Sequence, residues 1–320
     1  MRILFRLIGY SHASSVILSF LNEEDVLPEL IKRVVNVLSN EPEDYEIIFI
    51  NDDSTDTSLA LLLAARDENP RIKIINTSRR FGMVECIIAG IEHATGDAIV
   101  YLDTDLQDPP EVIPRLLEKW RNGADVVYTV RTKRDGENPI KMWLTRQAYR
   151  VIGSFSEINL PIDSGNFRLI NRKIRDQLLQ LNEVEPYLRG LVRWIGFRQE
   201  AVYYEREARF AGDCHVPLFG TGPAKEFMAG LTTFSVAPVF LIFTFGFLIT
   251  IFSFFALAVI SLGGIAGGIF GFTAMVLFMM FLWGSLLFSI GFVGVYVTRI
   301  YKDVRGRPRY IIRETIGFDD

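Results

Sequence analysis

The chain has 320 residues and a formal net charge of −4, room for one large domain or two modest ones at roughly 100–200 residues each. That balance gives no ground for a nucleic-acid partner. Two cysteines, Cys86 and Cys214, with no CxxC pair, exclude a disulfide framework, and three separated histidines, His12, His93 and His215, make no zinc pattern.

The N-terminal patch is broken by Arg6 and is too short for a secretory signal. Ser15–Leu21 is a short apolar, β-branched run and predicts a strand. Glu24–Leu38 carries Leu27, Leu30, Ile31, Val34, Val35 and Leu38 at helical spacing. Glu46–Ile50 predicts a second strand, and Ser54 or Thr55 is placed to cap a helix running through Arg66. A strand at Ile72–Ile75, a helix at Gly82–Ala94 and a strand at Ala98–Leu102 follow. Pro110–Arg121 predicts a helix with proline in its first turn, and Asp125–Val130 a fifth strand. Alternating strands and helices predict an α/β domain over residues 1–220, a mostly parallel sheet with helices on both faces.

Ligands of such sheets bind beyond the carboxyl ends of the strands. There the sequence puts Asn22 and Glu23 after the first strand, Asn51, Asp52 and Asp53 after the second, and Asp103 and Asp105 after the fourth. If Leu102–Asp105 stays extended, alternation sets Asp103 and Asp105 on one face. With Gln107 they offer hard oxygen ligands for Mg²⁺ or Mn²⁺. The alternative is a turn, since Asp and Pro are common after strands.

Charge vanishes between Phe227 and Thr298, where no Asp, Glu, Lys, Arg or His occurs. A bilayer core needs about 20 apolar residues per helix, and two such segments fit, near Pro238–Ile260 and Ala274–Val297. The alternative is a buried hairpin in a soluble core. Arg299, Lys302, Arg305, Arg307, Arg309 and Arg313 follow in a basic tail over residues 299–320. Such an excess marks the cytoplasmic side, so two spans would leave the N-terminal domain there too. Gly264, Gly267, Gly268, Gly284 and Gly291 permit close helix packing, within one chain or in a homo-oligomer; for the first three a flexible turn is the alternative.

LDTDLQDPPE, preceded by NEED and NDDSTD and followed by DSGNFRL, RGLVRWIGF and REARFAG, resembles the family 2 glycosyltransferases of the GT-A type. Within them it is similar to the polyprenyl-phosphate group: bactoprenol glucosyltransferases and dolichol-phosphate mannose synthases. The resemblance implies a metal-dependent, inverting transfer of one sugar to polyprenyl (undecaprenyl) phosphate at the cytoplasmic membrane face. UDP-glucose is the implied donor, and GDP-mannose the alternative. It implies that Glu23, Asp52, Arg79 and Asp103 meet the nucleotide sugar, and that Asp105 and Gln107, with Asp103, hold Mg²⁺ or Mn²⁺. Asp163 becomes the candidate base or orienting group. Arg131, Arg134, Arg206 and Arg209 become candidates for the acceptor phosphate, with anionic headgroups as the alternative. His215 is a further candidate contact there. Two departures stand out: Asn51 replaces the first aspartate of the family pair, and Asp53 stands where the family has glycine. A processive polysaccharide synthase fits less well, because Gly190 stands where its glutamine would precede Arg193 and Trp194. A non-catalytic nucleotide-sugar-binding scaffold is the reading from outside the enzymes.

Overall fold

A computed structural model describes residues 13–134, 164–181, 183–184, 186–207, 210, 239, 242–249, 251–252, 255 and 269–318. Its frame is an eight-stranded sheet: β1 (Ala13–Phe20), β2 (Asp44–Asn51), β3 (Ile72–Thr77), β4 (Ala98–Asp103), β5 (Val126–Arg134), β6 (Ser164–Asn171), β7 (Gln199–Arg206) and β8 (Ile312–Ile316). The spatial order is β7-β5-β6-β4-β1-β2-β3-β8. β1 pairs in parallel with both β2 and β4, β2 with β3, and β5 with β7. β6 runs antiparallel to β4 and β5, and β8 antiparallel to β3. The central strands are buried on both faces, which is why they read as unbroken apolar runs.

Helices cover both faces. On one side α1 (Leu27–Ser39), α2 (Ser58–Glu68) and α4 (Ile113–Arg121) pack through Leu30, Val34, Leu62 and Leu116. On the other, α3 (Met83–His93), α5 (Arg172–Gln180) and α6 (Leu188–Ile195) pack through Ile87, Ile91, Leu178 and Leu191. α3 lies hard against the sheet at Gly90. A Cβ there would stand 2.5 Å from the Ile17 side chain and 2.8 Å from that of Ile50.

The expected strands and helices are present, with shifted ends. The α2 cap is not made by Ser54 or Thr55: Thr57 precedes the helix and its side chain caps nothing. Ser54 and Thr55 are instead held to Asn22. β4 does not continue to Asp105. It ends at Asp103, and Leu106 turns the chain with φ 56°. Strand alternation therefore does not relate the two aspartates; a turn brings them together.

α7 (Ile269–Arg305) contains the later apolar segment. Among the described residues it is the one helix long and apolar enough to cross a membrane, over Phe278–Arg305, and none of its most apolar stretch is buried. Of the earlier segment, Pro238–Ile260, residues 239, 242–249, 251–252 and 255 are described, and all of them are helical.

Candidate functional site

Because β1, β2 and β4 are parallel, their carboxyl ends share one edge of the sheet. Short polar side chains there bond neighbouring backbone, as turn residues do. Asn22, at φ 54°, accepts from the Thr55 amide through Oδ1 at 2.8 Å. Glu24 Oε2 accepts from the Thr57 amide at 2.9 Å, and the Glu23 amide donates to Ser58 Oγ at 3.0 Å. The loops after β1 and β2 thus hold each other.

Asp52 is buried. Its Oδ1 accepts from the Phe81 amide at 2.7 Å and its Oδ2 from the Gly82 amide at 3.0 Å. Both oxygens are spent on the loop that carries Arg79, so Asp52 shapes that loop from beneath. Gly82, at φ 123°, adopts a conformation that favours glycine. Arg79 lies across the Phe81 ring, 4.1 Å from its centroid. Burial, reinforced by the Asp52 charge, pushes the Cys86 thiol well above its ordinary range and keeps it protonated.

The acidic turn after β4 is the electrostatic centre. The Asp103 carboxyl is pushed up to about 6, first by burial and then by Asp108 and Asp105, against the pull of Arg131 and Arg206. Asp103 Oδ1 is buried and accepts no hydrogen bond within the structure. Asp105 Oδ1 accepts from the Gln107 amide at 3.2 Å.

Asp108 is fully buried and gathers three partners from distant strands. Arg131 Nη2 reaches it at 3.1 Å, Arg206 Nε at 3.5 Å, and the Tyr204 hydroxyl donates to it. Burial works against the Arg131 charge, but Asp108 and Tyr204 hold the guanidinium firmly protonated. Only 12% and 15% of the Arg131 and Arg206 side chains is exposed. Both guanidiniums face inward, toward Asp108. A Cβ at Gly165 would stand 2.7 Å from Arg131 Nη2, so a side chain there would make the guanidinium shift.

The structure therefore brings Asp103, Asp105, Arg131 and Arg206 into one charged cluster, with Glu23, Asp52 and Arg79 on the neighbouring strand ends. The backbone of Arg134 pairs with Arg206. Asp163, Arg209 and His215 lie outside the described residues. Asp108 is the residue that sequence reading missed. The sequence shows a third aspartate in the acidic turn, but not that arginines on β5 and β7 meet it.

The donor set fits a divalent cation. Arg131 and Arg206 take up the Asp108 charge, leaving Asp103 and Asp105 as hard oxygen donors, one of them with an unsatisfied buried oxygen. Among the described residues no three His, Cys, Asp or Glu side chains close around an ion. An open pair is what Mg²⁺-type ions take when substrate phosphates complete the shell.

The chain belongs to glycosyl transferase family 2, whose domain matches residues 15–179, and it is a glycosyltransferase. Two relatives match nearly end to end. The uncharacterized glycosyltransferase YkcC of Bacillus subtilis (strain 168) is 39% identical, over 96% of this chain and 95% of that protein. The bactoprenol glucosyl transferase of Shigella phage SfX is 32% identical, over 93% of this chain and 98% of that one. Among solved structures, the fold resembles glucosyl-3-phosphoglycerate synthase from Mycobacterium tuberculosis in complex with phosphoglyceric acid. The TM-score is 0.50 at 20% identity, covering 69% of this chain and 79% of that one. The sheet, its helices and this likeness define a GT-A fold.

Proposed function

We propose that the protein transfers one sugar, glucose from UDP-glucose, to the phosphate of a polyprenyl lipid such as undecaprenyl phosphate. Transfer takes place at the cytoplasmic face of a bacterial membrane, with Mg²⁺ or Mn²⁺. The observation that carries this reading is the juxtaposition of the Asp103 and Asp105 carboxylates with Arg131 and Arg206 at one sheet edge. The bactoprenol glucosyl transferase relative supports the lipid acceptor and the glucose.

Glu23, Arg79 and Asp103 bind the nucleotide sugar on the β1–β4 side, and Asp52 fixes the Arg79 loop beneath it. Asp103 and Asp105, with Gln107, would hold the cation. When bound, the cation supplies charge neutralisation to the departing nucleoside diphosphate. On the other side, Arg131 and Arg206 supply guanidinium donors suited to the acceptor phosphate. Arg134, Arg209 and His215 would extend that surface.

A phosphate monoester has its second pKa near roughly 6, so the acceptor is already largely dianionic at neutral pH. Asp163 then orients the acceptor or the sugar more than it removes a proton. Direct displacement inverts the anomeric carbon; a product of retained configuration would rule that step out.

The membrane placement has its own support. α7 is apolar, yet the chain beyond it returns to the sheet as β8. Its carboxyl end therefore lies on the same side as the catalytic domain. A second span at Pro238–Ile260 would give the hairpin.

The test is transfer of labelled sugar to polyprenyl phosphate by the purified full chain, across UDP- and GDP-sugars, with metal or chelator and with Asp105→Ala. One donor should give a lipid-linked sugar, lost with chelator and in the variant. A mannose product from GDP-mannose would change the donor, and a growing polymer would change the class to a processive synthase. Nucleotide binding without turnover would make the chain a scaffold.

A further inference from the structure

The segment after α7 also touches the loops of the site. It enters the sheet as β8 beside β3, pairing Ile75 with Thr315 and Asn76 with Glu314. The register shifts between Asn76 and Thr77, where β3 gives way to the Arg79 loop. Glu314 Oε1 accepts from Asn76 Nδ2 at 2.8 Å, and Asn76 Oδ1 accepts from Asn51 Nδ2 at 3.0 Å. Arg313 reaches further. Its Nη2 donates to Asp53 Oδ1 and to the Ser78 carbonyl, each at 3.0 Å. One side chain of the tail therefore ties together the loops that follow β2 and β3.

Asp53 needs such a tie. Its φ is 63°, in the left-handed region that glycine occupies at no steric cost and other residues rarely adopt. It is also the position where the sequence departs from the family's glycine. The preceding residue, Asp52, clasps the Arg79 loop, so a change in the Asp53 backbone reaches that loop directly.

We propose that Arg313 is a positioning residue of the donor site. It holds Asp53 in its left-handed conformation and thereby sets the loops that receive a nucleoside diphosphate sugar. The tail strand is thus part of the donor-binding machinery. This rests on the reading of the β2 and β3 ends as the nucleotide side.

The experiment compares wild type, Arg313→Ala, Arg313→Lys and Asp53→Gly, and the double variant Asp53→Gly/Arg313→Ala, as full chains in detergent. Binding of UDP and GDP, the donor KM, the acceptor KM, kcat and Tm are measured. Arg313→Ala should weaken nucleotide binding and raise the donor KM by roughly threefold to tenfold, the scale of one exposed ion pair and its hydrogen bond. Its kcat and acceptor KM should stay within about twofold, and Tm should be unchanged. Lysine should restore part of the loss. In the Asp53→Gly background, replacing Arg313 should carry no penalty, because glycine needs no tie. If Arg313→Ala fails to fold, Arg313→Lys and Asp53→Gly/Arg313→Lys replace it, and the same difference between backgrounds is read. An unchanged donor KM, or the same penalty in both backgrounds, overturns the inference while leaving the proposed function standing. A wild type that binds neither nucleotide overturns both.

Discussion

The two halves of the site are built from different forces. On the β1–β3 side, short polar side chains bond backbone amides: Asn22 to Thr55, Glu24 to Thr57, Asp52 to Phe81 and Gly82. On the β5–β7 side, Arg131, Arg206 and Tyr204 converge on the buried Asp108. The first half fixes loop shape. The second stores charge where water is scarce, which raises the cost of any imbalance.

The sharpest way to break the comparison is Asp108→Ala. It leaves two guanidiniums buried without their carboxylate and should cost about 3–5 kcal/mol, read as a large fall in the denaturation midpoint. Asp52→Ala attacks the other half. It strands two amides that now bond a carboxylate, and should cost about 3 kcal/mol. Its diagnostic is increased proteolysis or hydrogen exchange confined to the Arg79 loop. If Asp52→Ala instead loosened the β5–β7 side, the two halves would not be independent.

Asp103→Asn should move stability the other way. The folded carboxyl sits at about 6 against an ordinary 3.8, so the folded state holds the proton more tightly than the unfolded chain. That preference favours folding below the ordinary value and is lost as pH rises through about 6. In chelator, the asparagine variant should therefore be more stable than wild type at pH 7.5, by on the order of 3 kcal/mol. The gap should close near pH 4, as thermal melts at the two pH values will show. The same variant should lose nearly all transfer, a site paying stability for function. At the small end, Lys32→Ala removes an exposed pair with Glu29 at 3.4 Å and should change stability by less than about 0.5 kcal/mol.

The sheet from β1 to β5 was legible because double-faced burial writes itself as apolar runs. β6, β7 and β8 were not read as strands. SGNFRLIN mixes polar residues into a buried strand, QEAVYYER lies on an edge, and IRETI is recruited by pairing with β3. At the site, Asp103 and Asp105 were legible as a pair, but the reason offered was wrong. The strand stops at Asp103, and a left-handed Leu106 makes the turn. Asp108 was illegible as an anchor because Arg131 lies 23 residues away and Tyr204 lies 96 away. The hold of Asp52 on the Arg79 loop was illegible, because its oxygens accept from amides 29 and 30 residues downstream.

β8 also bears on how the molecule is made. A sheet edge with unpaired amides and carbonyls is a template for association with other chains, and synthesis runs from the N-terminus at a pace slower than local folding. β3 emerges early, yet its partner emerges only after α7. Throughout synthesis the edge of β3 stays open, and the sheet closes only once the apolar helix has left the ribosome. Completion of the sheet is thereby tied to completion of the long apolar helix, so a truncated chain would carry a free edge.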